Sequence, residues 1–468
     1  MRAVGPIVSE ILAALVYRDF SGGFALVERA MAESVARWQK ALDEASGPER
    51  IARIRGMLRS LFPDVLRMKI LQNVAPGILA YRLIESLSSR WLGDAAELGD
   101  LAKAPRGNVT TEMGLALGDL ADVVRARPGT IERLRAADDT TLLPSLDGVP
   151  GGEDVRQAIG VFLRRYGMRC TGEIDLARPR WSEAPTQLLP AIESHMRSSS
   201  PGEHRRAFLA GEGRAERAAV TLLERLKGTP FGWLKWRVMR RLITVYRSRI
   251  GLREHPKFYV VQLLDLARRG ILREAQELTD TGILSSPDDV FWLSLSEIEE
   301  ALRTRQVDRH LLEERRDRFA RDGSLRPPRL ITSEGEVVEA PPGKGVPAGA
   351  LAGTAASAGV VEGRARVVRK LEEARIEKGD ILVAPYTDPA WTPLFPIAAG
   401  LVTEVGGLMT HGAVVAREYG IPAVVGVDGA TGVIRDGSLV RVNGTQGYVE
   451  VLGDETTKRG ERAVRAIR

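Results

Sequence analysis

The apolar residues of this chain change their spacing once, near Arg321, and that switch limits it to two unlike halves. Before it they recur at i, i+3 and i+4, the period of an amphipathic helix. Phe24–Leu42, Glu49–Leu61, Glu112–Arg127, Val155–Tyr166 and Glu216–Lys227 carry this pattern in stretches rich in Ala, Leu, Arg and Glu, all strong helix formers. Ser46-Gly47-Pro48, Pro128-Gly129, SLDGVPGGED and SSSPGE divide them. After Arg321 comes SLRPPRLITSEGEVVEAPPGKGVPAGALAG, whose Pro and Gly content reads as a linker or extended arm. Beyond it the pattern is that of short, β-branched strands bounded by Gly, Asp or Pro: Gly363–Val368, Asp380–Ala384, Gly400–Glu404, Ala423–Val425, Ser438–Val442 and Gly447–Val451. One helix is expected among them, from Thr410. The chain therefore divides into an all-α domain over 1–325, a Pro/Gly-rich linker over 326–344, a strand-rich domain over 345–453 and a basic tail over 454–468.

Composition excludes several classes. Hydrophobic residues at 44% and charged residues at 27% rule out wholesale disorder. No apolar run is long enough for a membrane span, and Glu10 interrupts the only apolar patch near the start, so neither membrane anchor nor signal peptide is expected. The single cysteine, Cys170, excludes an internal disulfide and any multi-thiolate metal site, and the expected location is the cytoplasm. A net charge of +6 is too small over 468 residues to announce a nucleic-acid binder. Residues 344–453 hold 10 basic and 11 acidic side chains, so the basic excess lies outside the strand-rich part.

Of the five histidines, His411 has the most telling surroundings, EVGGLMTHGAVVAREYGIPAVVG. A strand ends at Glu404, Gly406-Gly407 makes a turn, and a helix runs through Glu418 until Gly420 and Pro422 stop it. Thr410 fits the N-cap, which puts His411 in the first turn. The free N–H groups and positive end of a helix favour a phosphate there, and the same field disfavours a cation, leaving a nucleophilic imidazole. Gly406, Gly407 and Gly412 have no side chains to obstruct a phosphoryl group. The pattern suits a histidine that attacks phosphorus and briefly carries the group. A glycine-rich turn with an incidental histidine fits the residues equally well.

GGLMTHGAVVAREYGIPAVVG closely resembles the phosphohistidine signature of the phosphoenolpyruvate-utilising enzymes. The resemblance covers roughly 345–453 and takes in AGTAASAGVVEGRA and DILVAPYTDPAWTPLF. It implies a β/β/α domain that swivels between a nucleotide site and an acceptor site, with His411 carrying the phosphate, Thr410 orienting it and Arg417 as a further motif residue. The finer resemblance is to the rifampicin phosphotransferase branch, through TDPAWTPLF and through NVTTEMGLALGDLAD, YGMRCTGEIDLARPRWSE, GLREHPKF and DDVFWLSLSEI in the helical part. That branch implies ATP-dependent transfer to a hydroxyl of a bulky, rifamycin-like acceptor, leaving AMP and phosphate. It also implies an ATP-grasp domain with ATP and Mg2+. Nothing in the 468 residues resembles such a domain, so the expectation is a truncated gene product, one half of a split enzyme served by an ATP-grasp partner in trans, or a degenerate homologue. PPGKGVPAG follows no strand and is not a phosphate loop.

On the acceptor side Arg253 and Lys257 are the cations expected to steady a transferring phosphoryl group. Arg169, Glu173 and Asp175 cluster around the turn at Gly172, as a polar site or a structural network. Cys170 reads as a small core residue. FGWLKWRVMRRLITVYRSRIGLRE interleaves cations with Trp and Tyr, but Val238, Leu242, Ile243 and Tyr246 give it an apolar helix face, so no nucleic-acid surface is expected. No HExxH, CxxC or GxSxG occurs, and no metal site is expected in this chain. The leading expectation is a phosphotransferase component. A phosphoenolpyruvate synthase-like relative with another acceptor is the second reading, and a catalytically silent ligand-binding protein the third.

Overall fold

The breakers read from the sequence fall between helices. Ser46 precedes Gly47–Arg67 with Pro48 in its first turn, Pro128-Gly129 separates Val109–Arg125 from Thr130–Ala136, and Ser199–Gly202 separates Leu189–Ser198 from Glu203–Lys227. The computed structural model describes residues 4–16, 23–68, 70–94, 96–323, 325, 331–336 and 346–453. Most of the 326–344 linker and all of the tail lie outside them. From Val4 to Asp322 the described chain is helix and turn. Two helices run further than their patterns suggested. Gly47–Arg67 continues through Pro63, and the helix expected from Glu216 begins at Glu203. Among the described residues no helix is long and apolar enough to cross a membrane.

The basic-aromatic segment forms Gly232–Arg249, which buries Met239, Leu242, Ile243, Val245 and Tyr246. Val238, expected on that face, lies at its edge and is partly exposed. Several of its cations are engaged by the protein itself: Arg241 donates to the carbonyls of Ala14 and Leu15, and Arg247 to that of Lys103.

The strand-rich part is one eight-stranded mixed sheet built from β1 (Leu351–Ala352), β2 (Thr354–Ser357), β3 (Val360–Val367), β4 (Ile381–Ala384), β5 (Gly400–Thr403), β6 (Ala423–Val425), β7 (Leu439–Asn443) and β8 (Tyr448–Gly453). Its order is β1-β8-β7-β3-β4-β5-β6-β2. The β3–β6 block is parallel, and the flanking pairs are antiparallel. β4, β5 and β6 are buried along their whole length, which is why they read as continuous apolar runs. β1 and β2 escaped the sequence because Ala-rich AGTAAS has little strand propensity; they form by pairing with β8 and β6.

Successive side chains of a strand point to opposite faces. Ile381 and Val383 of β4 join Val402, Val424 and Val440 in a core internal to the sheet domain. Leu382 and Ala384 face the other way, into a cluster shared with Met113, Leu117 and Leu188 of the helical part. Trp391, Leu394 and Phe395, on or beside the 3-10 turn Pro389–Leu394, are fully buried in that same cluster. At about 1.5–3 kcal/mol per large apolar side chain removed from water, this shared face is a substantial docking force.

Candidate active site

β5 ends at Thr403, and the loop beyond it delivers His411 as the first residue of the helix His411–Tyr419. Thr410 occupies the N-cap position with extended backbone, but its hydroxyl does not cap the helix. It turns back and donates to the carbonyl of Gly407 at 2.7 Å, closing the loop upon itself. The glycines serve different purposes. A Cβ on Gly412 would collide with the Thr387 hydroxyl, and one on Gly406 would come within 3.1 Å of Val425 Cβ. Gly407 alone of the three faces open space. Close packing thus accounts for Gly406 and Gly412, and room for an incoming group is offered at Gly407. The helix ends at Gly420, whose left-handed backbone, φ +72, suits glycine.

The imidazole of His411 faces two side chains. Nε2 lies 2.9 Å from Oγ1 of the buried Thr392, on the turn Pro389–Leu394. Nδ1 lies 3.5 Å from Oε2 of Glu254, which the helical part supplies from the last position before the helix His255–Asp280. Both side chains are only 8% exposed. Burial works against the charge of Glu254, yet His411, with Arg253 and Lys257 nearby, holds its carboxyl down at about 2.

Arg253 and Lys257, paired in the sequence as one cationic element, diverge. The Arg253 guanidinium donates to the carbonyl of Met409 at 3.1 Å. Arg417 donates to the preceding carbonyl, that of Leu408, so two guanidinium groups hold the loop before His411. Arg417 thus braces the loop through a carbonyl. Lys257 turns toward Glu173, with Nζ 3.2 Å from Oε1, and Glu173 is also paired with Arg169 at 3.0 Å, both of them buried. Gly172, at φ +71, makes the turn that allows this, and its N–H donates to Asp388 at 2.7 Å. Burial raises the Asp388 carboxyl above the usual carboxylate range. Asp175 is exposed and caps its own turn at Ala177. Glu173, Asp175, Lys257, Tyr386 and Asp388 line a cavity of about 430 Å³. Cys170 is buried beside Arg180, and burial pushes its thiol up to about 11, which suits a core residue.

Residues 69–254 match the family described as rifampicin phosphotransferase fourth domain, and residues 376–447 that described as PEP-utilising enzyme, mobile domain. A rifampicin phosphotransferase of Streptomyces sviceus is 43% identical over 91% of this chain and 49% of its own length. That of Bacillus subtilis is 42% identical over 85% of this chain and 47% of its own. The chain's close relatives are rifampicin phosphotransferases. More distant is a prodigiosin synthesizing transferase of Serratia marcescens, 29% identical over 77% of this chain and 40% of its own length. The chain spans about half the length of the curated relatives it matches.

Glu254, Thr392 and Asp388 were not singled out from the sequence. Glu254 and Thr392 stand inside the stretches GLREHPKF and TDPAWTPLF that carried the resemblance, and Asp388 in the second of them. Nothing in their local spacing marks them as neighbours of His411. Among the described residues no group of three or more His, Cys, Asp or Glu side chains is placed to hold a metal ion.

Proposed function

We propose that this chain is the carrier and acceptor-binding portion of a phosphotransferase of the rifampicin phosphotransferase kind. The observation that carries the reading is His411 at a helix start, closed in by Thr392 on one side and by Glu254 of the helical part on the other. ATP on an ATP-grasp unit, acting in trans, supplies the phosphoryl group. The strand-rich part, 345–453, is the swivelling phosphohistidine domain, and residues 1–325 bind the acceptor, with the 326–344 linker giving the reach.

In the docked arrangement phosphoryl transfer divides among this chain's own residues. The acceptor oxygen forms its bond to phosphorus as the N–P bond to His411 breaks, and that electron pair returns to the imidazole. The hydroxyl proton, made acidic as the oxygen bonds to phosphorus, passes to the Glu254 carboxylate that faces His411. Lys257, in the wall of the acidic cavity, is the cation available to the phosphoryl oxygens, while Arg253 and Arg417 fix the loop. Water is kept away from His411 by the same burial that closes the two parts together.

The test of the acceptor half is transfer from the charged protein. Chain carrying labelled phosphate, freed of nucleotide and mixed with a rifamycin, should pass its label to the antibiotic. Label that leaves only as inorganic phosphate, at the rate seen without antibiotic, contradicts the proposed acceptor.

A further inference from the structure

One buried carboxylate at the contact between the two parts is not used by the site around His411. Glu418 lies seven positions along the same helix, near its other end, and is 8% exposed. Its two oxygens accept from Nδ2 of Asn108 at 2.9 and 2.8 Å, and one also accepts from the Thr111 hydroxyl at 2.8 Å. Oδ1 of Asn108 accepts the N–H groups of Thr110 and Thr111 at 2.9 and 3.4 Å. Asn108 is therefore both the N-cap of Val109–Arg125 and the receptor of Glu418. The carboxylate meets the positive end of a 17-residue helix belonging to the other part.

The backbone of Glu418 is held as well. The N–H of Ala104 donates to its carbonyl at 3.0 Å. Ala104 does so from φ +45, a conformation that a residue with a side chain rarely adopts and that persists only where the surroundings enforce it. Arg247 supplies that enforcement, donating to the carbonyls of Lys103 at 2.6 Å and Ala104 at 3.3 Å. A contact that needed adhesion alone would be served better by an apolar side chain here. A buried acid with directional partners fixes one register instead.

We propose that Glu418 is a positioning residue whose carboxyl group, received by Asn108 and Thr111, docks the His411 helix in the one register that brings His411 to Glu254. The proposal rests on reading the strand-rich part as mobile, and requires no phosphoryl chemistry at His411.

The titratable and charged groups around Glu418 are Glu254, Arg253, Arg417, Tyr246 and Tyr419, with His204 and Arg214 lining one cavity beside it and Tyr81, Arg82 and Glu85 another. Burial pushes Glu418 up to about 7 when docked, against 4.5 for a free glutamate, with Thr111, Arg253 and Asn108 pulling the other way. A group whose docked value is raised takes up a proton on docking. Docking is then tightest in acid and weakens as pH rises through about 7, by roughly thirty-fold in the docking equilibrium between about pH 5.5 and 8.5.

Spin labels on Glu216→Cys and Asp428→Cys, both exposed, report the separation of the two parts in the full chain; the native Cys170 is buried. The docked fraction should fall with pH as stated. Glu418→Gln should dock without that pH response, and Glu418→Ala should dock less at every pH. A docking equilibrium that is flat over this range, or a Gln variant that responds as the native chain does, overturns the proposal. Neither result depends on whether His411 is ever phosphorylated.

Discussion

Glu254→Gln isolates the charge that faces His411. Gln has nearly the shape of the protonated acid, so the exchange removes ionisation and little else. The carboxyl is held at about 2 against 4.5 for a free glutamate. At 1.36 kcal/mol per unit, that difference corresponds to about 3 kcal/mol of folding stability from the ionised form. The sign follows from the depressed value. Above pH 4.5 both folded and unfolded chains carry the charge, and the contribution is complete. Below it the unfolded chain takes up a proton that the folded chain refuses, so the contribution fades as pH falls toward 2. Urea unfolding followed by far-UV circular dichroism should find Glu254→Gln less stable than the native chain by about 3 kcal/mol at neutral pH, and by about half of that near pH 3.3. An equal penalty at both pH values would mean that packing, and not charge, is what Glu254 supplies. No penalty at neutral pH would refute the ionised carboxylate altogether.

Two of the glycines around His411 should separate. Gly412→Ala drives a methyl group into the Thr387 hydroxyl and should lower stability by about 1–3 kcal/mol, whereas Gly407→Ala opens onto free space and should melt with the native chain. Thr392→Val keeps the shape but removes the 2.9 Å contact to His411 Nε2; it should cost about 1 kcal/mol in stability and slow phosphorylation of His411 while the helical content is unchanged.

The parts of the fold that the sequence disclosed are those whose burial is set locally. β4, β5 and β6 are buried on both faces, so their apolar runs stand out, and Gly420 ends its helix by a conformation that glycine alone adopts freely. The elements that remained hidden depend on partners distant in the chain. β1 and β2 are strands because β8 and β6 present free edges to them. The site divides in the same way. His411 was marked by the glycines around it, but Thr392 and Glu254 reach it only through the docking of a 3-10 turn and of a helix from the other part. Arg417, a motif residue given no definite role by the sequence, holds the Leu408 carbonyl, a destination that residue spacing does not encode. Lys257 and the Arg169–Glu173 pair were read as separate features, and one ion-pair network joins them.

The central claim is that His411 carries a phosphoryl group. The direct measurement is to incubate the full chain with an ATP-grasp protein of this family and labelled ATP, then map the modified residue by mass spectrometry. The expected product is an acid-labile, base-stable adduct on His411, absent from His411→Ala. Label that persists in His411→Ala, or that maps to another residue of the native chain, contradicts it.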